Sequence, residues 1–215
     1  MHDFYQFIHA FDFLKQYLCE TTMDALRQHI KPGKVYRRSD LEYYSSAIDR
    51  HLGILTKDGS LLKLSQGLYY APKSTKFGIA PPDDSDLVEC FLKDNNFLIV
   101  NPNLYNRLGL GLTQLYNTTW VYNHKRKGEF KLNGKKFEFK IKSSFPNQLT
   151  KAFLLVDLLN NIDELAESQH RIIQFLSNNF NSFNKDELLK LAQQYGSGKT
   201  KQFIKSYYRN KMLHA

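Results

Sequence analysis

Cysteine is nearly absent from this chain. Cys19 and Cys90 are the two in 215 residues. They stand far apart, with no Cys-x-x-Cys or Cys/His ligand spacing, so neither a disulfide framework nor a zinc finger is indicated. Long apolar runs are missing too: none approaches the ~20 residues needed to span a bilayer. The N-terminus carries Asp3 and Asp12 where a secretory leader has a basic region. A reducing cytoplasm, with no membrane partner, is the expected setting. Acidic residues are short in supply as well, 21 against 30 Lys and Arg. The resulting +9 charge and pI near 9.4 favour a polyanionic partner, nucleic acid foremost.

The chain does have apolar mass for real cores, with 42% hydrophobic and 14% aromatic residues, while 24% charged residues lie near the globular average. Its length suits two small domains. The basic excess is gathered in three clusters. Lys31 to Lys76 holds 9 basic and 4 acidic residues, His124 to Lys142 holds 8 and 2, and Lys199 to Lys211 holds 5 and none. Each cluster alone reads equally as a solvated lysine surface.

No internal repeat or low-complexity tract occurs. The clearest seam is Ala71 to Asp86, where prolines, Gly78 and three aspartates interrupt the apolar patterning. It predicts a linker and a division into domains 1–76 and 77–215. Before it, the pattern predicts a helix from Phe4 to Ile30, broken at Glu20 to Thr22 and ended by Pro32-Gly33. A short strand Lys34 to Tyr36 follows, then a one-turn helix near Leu41, a helix capped by Ser45 or Ser46 and running to Lys57, and a small hairpin with its turn at Ser65-Gln66-Gly67. Beyond it come a helix to Lys93, a strand Phe97 to Val100, a short helix, strand character at Thr118 to Tyr122, a hairpin over Glu129 to Lys142, and four helices. In that hairpin, charge pairing favours a four-residue loop over the two-residue Asn133-Gly134 turn, because the longer loop sets Lys131 against Glu138 and Glu129 against Lys140.

Helix, strand, short helix, capped helix and hairpin, in that order, is the build of a winged helix-turn-helix. The expected fold class is α+β: an N-terminal winged helix-turn-helix followed by a mixed α/β C-terminal domain ending in a helical segment. On the capped helix, Ile48, Leu52 and Leu55 share a core face, while Ser46, Arg50, Gly53 and Lys57 form a stripe on the other side. A recognition helix needs a small or hydrogen-bonding N-terminal face to enter a major groove ~12 Å wide. Ser45, Ser46, Asp49 and Arg50 qualify, with Arg50 for guanine and Lys57 for a phosphate. The wing offers Lys63, Ser65 and Gln66, with Lys73 and Lys76 beyond. Arg37 and Arg38 precede the one-turn helix, whose amides add to their attraction for a phosphate. An ordinary surface helix with one arginine is the plain alternative.

The stretches VYRRSDL, SSAIDRHLGILTKDGSLLKLSQGLYYAPK and FGIAPP resemble the winged-helix part of AbiEi-like antitoxin/transcriptional regulators of type IV toxin-antitoxin systems. The run NPNLYNRLGLGLTQLYNTTWVYNHKRKGEFKLNGKKFEF resembles that family's "LGL-TQ" segment and the hairpin after it, and KAFLLVDLL its helical "LLVDLL" segment. The likeness runs from about Met23 to Leu213, with a slightly longer LGLGLTQ run and about twenty extra residues in front. It implies a non-enzymatic regulator whose N-terminal domain binds a double-stranded operator, expected as an inverted repeat, and represses its own operon. The C-terminal domain would counter a nucleotidyltransferase toxin without forming a stable complex with it. Lys125, Arg126, Lys127, Lys135 and Lys136, with the Lys201, Lys205, Arg209 stripe, are candidates for DNA-backbone contact or an antitoxin surface, or are simply solvated. A DNA-targeted enzyme with a nuclease-like or nucleotide-binding C-terminal domain, or a winged helix serving protein interaction, remain as alternatives.

No cofactor, metal site or catalytic residue is expected. Gly196-Ser197-Gly198-Lys199-Thr200 imitates the end of a phosphate-binding loop, but Gln193 stands where the first glycine belongs and no apolar strand precedes it. A glycine turn between helices, with Thr200 as N-cap, is the reading adopted. Asp83, Asp84, Asp86 and Glu89 read as a linker and an acidic first helical turn rather than a metal cluster. The seven histidines are scattered, with no acid and nucleophile spaced around them.

Overall fold

The computed structural model describes residues 22–111 and 115–213. It is a mixed α+β protein of helices and several small sheets. Of the helix expected from Phe4 to Ile30, the part before the break at Glu20 to Thr22 lies outside the described residues, as do the last three of LGLGLTQ. Among the described residues no helix is long and apolar enough to cross a membrane.

The chain divides into two compact units, residues up to Asn95, joined by Lys131–Gly134, and the remainder. In the first, helix α1 (22–29) leads to β1 (Val35–Arg37), α2 (Arg38–Leu41), a 3₁₀ turn (Glu42–Tyr44), α3 (Ile48–Lys57), β2 (Leu62–Ser65) and β3 (Leu68–Tyr70). The three strands form an antiparallel sheet in the order β1-β3-β2, with Val35 opposite Tyr70 and Leu62 on Tyr70's other side. Leu26, Leu41, Ile48, Leu52, Leu55 and Leu61 make its core. Burying each such side chain contributes about 1.5–3 kcal/mol.

The stretch expected to be a linker is ordered instead. Lys73–Thr75 (β4) and Gly78–Ala80 (β5) pair as a ribbon, and α4 (Asp84–Leu92) follows. The division therefore falls at Asn95–Asn96 rather than near Phe77. Side-chain bonds tie α4 to β1: Lys34 pairs with Asp86 at 3.1 Å, Cys90 Sγ donates to the Val35 carbonyl at 3.3 Å, and Arg37 donates to the Glu89 and Cys90 carbonyls. Tyr70 also donates to the Ala80 carbonyl at 2.7 Å. Proline and aspartate mark where elements end, and here they did not mark where contacts end.

The second unit has a four-stranded sheet in the order β6 (Phe97–Val100), β7 (Thr118–Asn123), β9 (Lys135–Ile141), β8 (Gly128–Leu132). Strand β7 runs antiparallel to β6 and parallel to β9. Asn133 and Gly134 have φ of 48° and 78°. That is the pair of positive angles a two-residue type I′ loop demands, so the four-residue loop expected from charge is wrong. Turn preference outweighs two cross-strand charge pairs, of which Glu138 and Lys140 are half-buried. Helices α5 (Lys151–Asn160), α6 (Gln169–Asn179), α7 (Lys185–Tyr195) and α8 (Gly198–Leu213) complete the unit. Helix α5 is buried from Ala152 to Leu159 and sits in the main core with Leu98, Trp120 and Tyr122 of the sheet.

One of those buried α5 positions is Asp157, at 1% exposure. Tyr105 and Tyr122 donate to its two carboxylate oxygens at 2.7 and 2.8 Å, and Asn161 Nδ2 donates to Oδ1 at 3.1 Å. Burial pushes the Asp157 carboxyl up from its ordinary value, and the tyrosine hydrogen bonds act against that shift. The same burial raises both tyrosines. Asp157→Leu removes the acceptor and strands the two buried tyrosine hydroxyls, each at about 1–3 kcal/mol, while Asn161 Nδ2 keeps the Asp157 backbone carbonyl. It is expected to lower unfolding stability by several kcal/mol in urea titration, while Asp157→Asn, which keeps an acceptor oxygen, should cost less.

Candidate nucleic-acid interface

Helix α3 positions the first set of candidates. Its core face is Ile48, Leu52 and Leu55, as expected, joined by His51. Its opposite stripe, Ser46, Arg50, Gly53 and Lys57, is exposed throughout. A Cβ at Gly53 would meet nothing within 4 Å. The face is therefore unobstructed at its centre. Neither Ser45 nor Ser46 caps α3, which starts at Ile48 after Ala47. Ser45 is buried, accepts from the Ala47 amide at 3.1 Å and bonds His51 Nδ1 at 2.8 Å. Ser45 is thus an internal brace and not a groove-facing group.

Three further candidates are engaged within the protein. Arg38 makes a fork on Asp49, with Nε and Nη2 donating to the two carboxylate oxygens at 2.7 and 2.8 Å, and Nη1 donates to Glu42 at 3.0 Å. These bonds hold the Asp49 carboxyl below its ordinary range. Both residues are solvent-facing, so the pair is worth little in stability, but it occupies the fork that a phosphate would need. Arg37 also faces inward. Its guanidinium bonds the Glu89 and Cys90 carbonyls in the last turn of α4, the helix end that carries partial negative charge. Sequence spacing could not reveal this contact, because its partners lie more than fifty residues away.

Arg50, Lys57 and Lys63 are exposed and hold no ion pair among the described residues. The hairpin turn falls at Gln66-Gly67, with Gly67 at φ 72°, leaving Gln66 exposed at the tip and Ser65 half-buried at the end of β2. The register slips between Lys63 and Ser65, a bulge at the strand edge. Lys73 and Lys76 are exposed on the β4–β5 ribbon.

The second basic cluster is divided by the fold. Lys125, Arg126 and Lys127 lie in the loop before β8, where Asn123 Oδ1 accepts from the Lys125 and Arg126 amides at 2.9 and 2.6 Å. Lys135 and Lys136 begin β9 at the hairpin's other end, beyond the five residues of β8. At ~3.4 Å per residue the two groups stand well over 10 Å apart. They do not form one patch. On α8, Lys205 and Arg209 are exposed and Lys201 is half-buried, and the helix sequence contains no acidic residue.

The Gly196–Thr200 stretch is a helix start. Ser197, not Thr200, serves as cap: its Oγ accepts from the Thr200 amide at 3.2 Å, while the buried Thr200 hydroxyl donates to Asn160 Oδ1 at 2.9 Å. Gly196 has no room for a side chain, since a Cβ there would sit 2.4 Å from the Ala192 carbonyl oxygen. Asp83 caps α4 by accepting from the Ser85 amide at 2.8 Å, and Asp86 pairs with Lys34. Among the described residues no group of His, Cys, Asp and Glu is placed to hold a metal.

Against known proteins, no family, curated protein or solved structure matches this chain.

Burial, then the nearby Arg50 charge, holds the His51 imidazole below its ordinary range. A histidine kept neutral in the fold gives stability that is full above its unfolded value of about 6.5 and declines as pH falls below it. The His51 ring should titrate below 6.5 when followed by NMR in the full chain, and a midpoint above 6.5 would contradict this placement. Separately, Lys199→Ala should leave the melting temperature unchanged and magnesium-ATP should give no heat on titration, whereas Gly196→Ala should lower the melting temperature through the Ala192 clash.

Proposed function

We infer that this protein is a non-enzymatic, double-stranded-DNA-binding transcriptional regulator and antitoxin of the type IV kind. Its first unit acts as a winged helix-turn-helix. The observation that carries the reading is the unobstructed face of α3, where Ser46, Arg50, Gly53 and Lys57 are all exposed. The order of elements from α1 to β3 and the three-stranded sheet behind α3 support it.

In this reading α3 enters the major groove. Arg50, long and bidentate, reads guanine O6 and N7, and Lys57 at the helix's far end meets a phosphate. Lys63 and Gln66 follow the backbone from the hairpin edge. Arg38 and Asp49 hold each other and orient α2 against α3 instead of touching DNA, and Arg37 and Ser45 support from within. The antitoxin half of the reading rests on the likeness of the LGLGLTQ and KAFLLVDLL segments. It pairs the protein with a nucleotidyltransferase toxin that it counters without stable association.

The test is binding to DNA from upstream of the protein's own coding sequence, measured against random duplex. Arg50→Ala should cost about 1–3 kcal/mol on the specific duplex and relax preference at one base pair, while Lys63→Ala should weaken both duplexes alike. Removing one phosphate contact should also reduce the salt slope by about 0.9. Equal loss on both duplexes for Arg50→Ala would take that residue out of base reading, and no preference for the upstream DNA would overturn the proposal.

A further inference from the structure

Helices α7 and α8 of the second unit enclose an open groove of about 530 Å³. Its interior is apolar, walled by Leu189 and Tyr208. Lys185 and Lys190 of α7 and Lys205 and Arg209 of α8 stand on its rim, all four exposed and none in an ion pair among the described residues. The Lys185 ammonium lies 5.7 Å from the centre of the Tyr208 ring. Tyr208 is 8% exposed, and its buried hydroxyl has no hydrogen-bond partner among the described residues. An apolar trough, four unpaired cations and an orphaned phenol in one wall do not describe a helix pair that has satisfied itself.

We propose that this groove docks an acidic amphipathic helix of a partner protein. Two packed helices with a trough between them are the seat for a third, which anchors apolar side chains at i and i+4. The rim selects the flanks of that third helix, since four cations without counter-charges favour carboxylates on either side of the apolar anchor. A nucleic-acid strand fits less well. Its phosphates would use the rim alone, the apolar interior would stay wet, and the Tyr208 ring is too buried to serve as a stacking platform. The proposal goes beyond the DNA-binding reading and is independent of α3.

The experiment uses the full chain and a fluorescent designed peptide of about 15 residues, ~22 Å long as a helix. It has Leu and Phe at i and i+4 and Glu on both flanks. A second peptide of the same composition has the apolar spacing scrambled. Anisotropy should show saturable binding of the first and at least about tenfold weaker binding of the second. The surface variants Lys190→Glu and Lys205→Glu/Arg209→Glu should each weaken the first peptide about tenfold or more, with unchanged melting temperature and unchanged binding of upstream duplex. Lack of binding, or equal binding of both peptides, overturns the proposal. So does a result in which the charge reversals cost duplex binding and leave the peptide untouched, which would make the rim a nucleic-acid contact.

Discussion

A carboxylate taken out of water must be satisfied by the protein or be neutralised, and that constraint organises the second unit around Asp157. Three donors meet it from three places: Tyr105 from the 3₁₀ turn after β6, Tyr122 from the central strand β7, and Asn161 from the residue that ends α5. Asn161 Nδ2 also lies 3.0 Å from the Tyr122 hydroxyl. A helix that is apolar on every side, as α5 is from Ala152 to Leu159, could rotate or slide against a sheet at little cost in burial. A directional cluster at one point removes that freedom. The same logic operates on a smaller scale in the first unit, where the buried Ser45–His51 bond fixes the start of α3. An apolar stripe of Ile48, Leu52 and Leu55 decides that α3 packs. The polar bond decides its register.

The periodic elements were legible in the sequence because periodicity reports burial directly. The α3 core face, β6, α7 and the hairpin strands fall where alternation and helical spacing place them. What escaped was whatever depended on contacts distant in the chain. The Pro/Asp-rich stretch reads as a linker because its composition breaks patterning, yet Lys34, Arg37 and Tyr70 reach across to bind it. Asp157 sits in the apolar KAFLLVDLL run and drew no reading from the sequence, because its tyrosine partners lie 35 and 52 residues earlier. The Asn133-Gly134 loop was misjudged for another reason. Cross-strand ion pairs, each with one solvent-exposed member on β8, were given weight against a backbone preference that solvent does not screen.

Charge at the candidate interface shows how a fold edits a list of basic residues. Read as a string, the first cluster offers every arginine and lysine to a polyanion. Folded, Arg37 is committed to backbone carbonyls, Arg38 to Asp49 and Glu42, and Lys34 to Asp86, while Arg27 just ahead of the cluster pairs with Asp58. The cations left for solvent are Lys31 and those on the α3 stripe, the hairpin edge and the β4–β5 ribbon. Net charge therefore overstates what a partner meets, and the distribution of unpaired cations is the better guide.

That distribution also separates the two basic surfaces chemically. Around α3 the cations without ion pairs stand beside small residues, Ser46 and Gly53. A hydrated polyanion can approach such a face without stripping water from buried apolar walls. Around the α7–α8 groove the cations surround Leu189 and Tyr208, so a partner gains most by bringing apolar surface as well as negative charge. Coulomb attraction at an exposed rim fades over about 10 Å at ordinary salt, whereas burial of an apolar anchor is far less sensitive to ions. The α3 face is thus expected to bind in proportion to phosphates engaged, and the groove to keep much of its affinity when salt is raised.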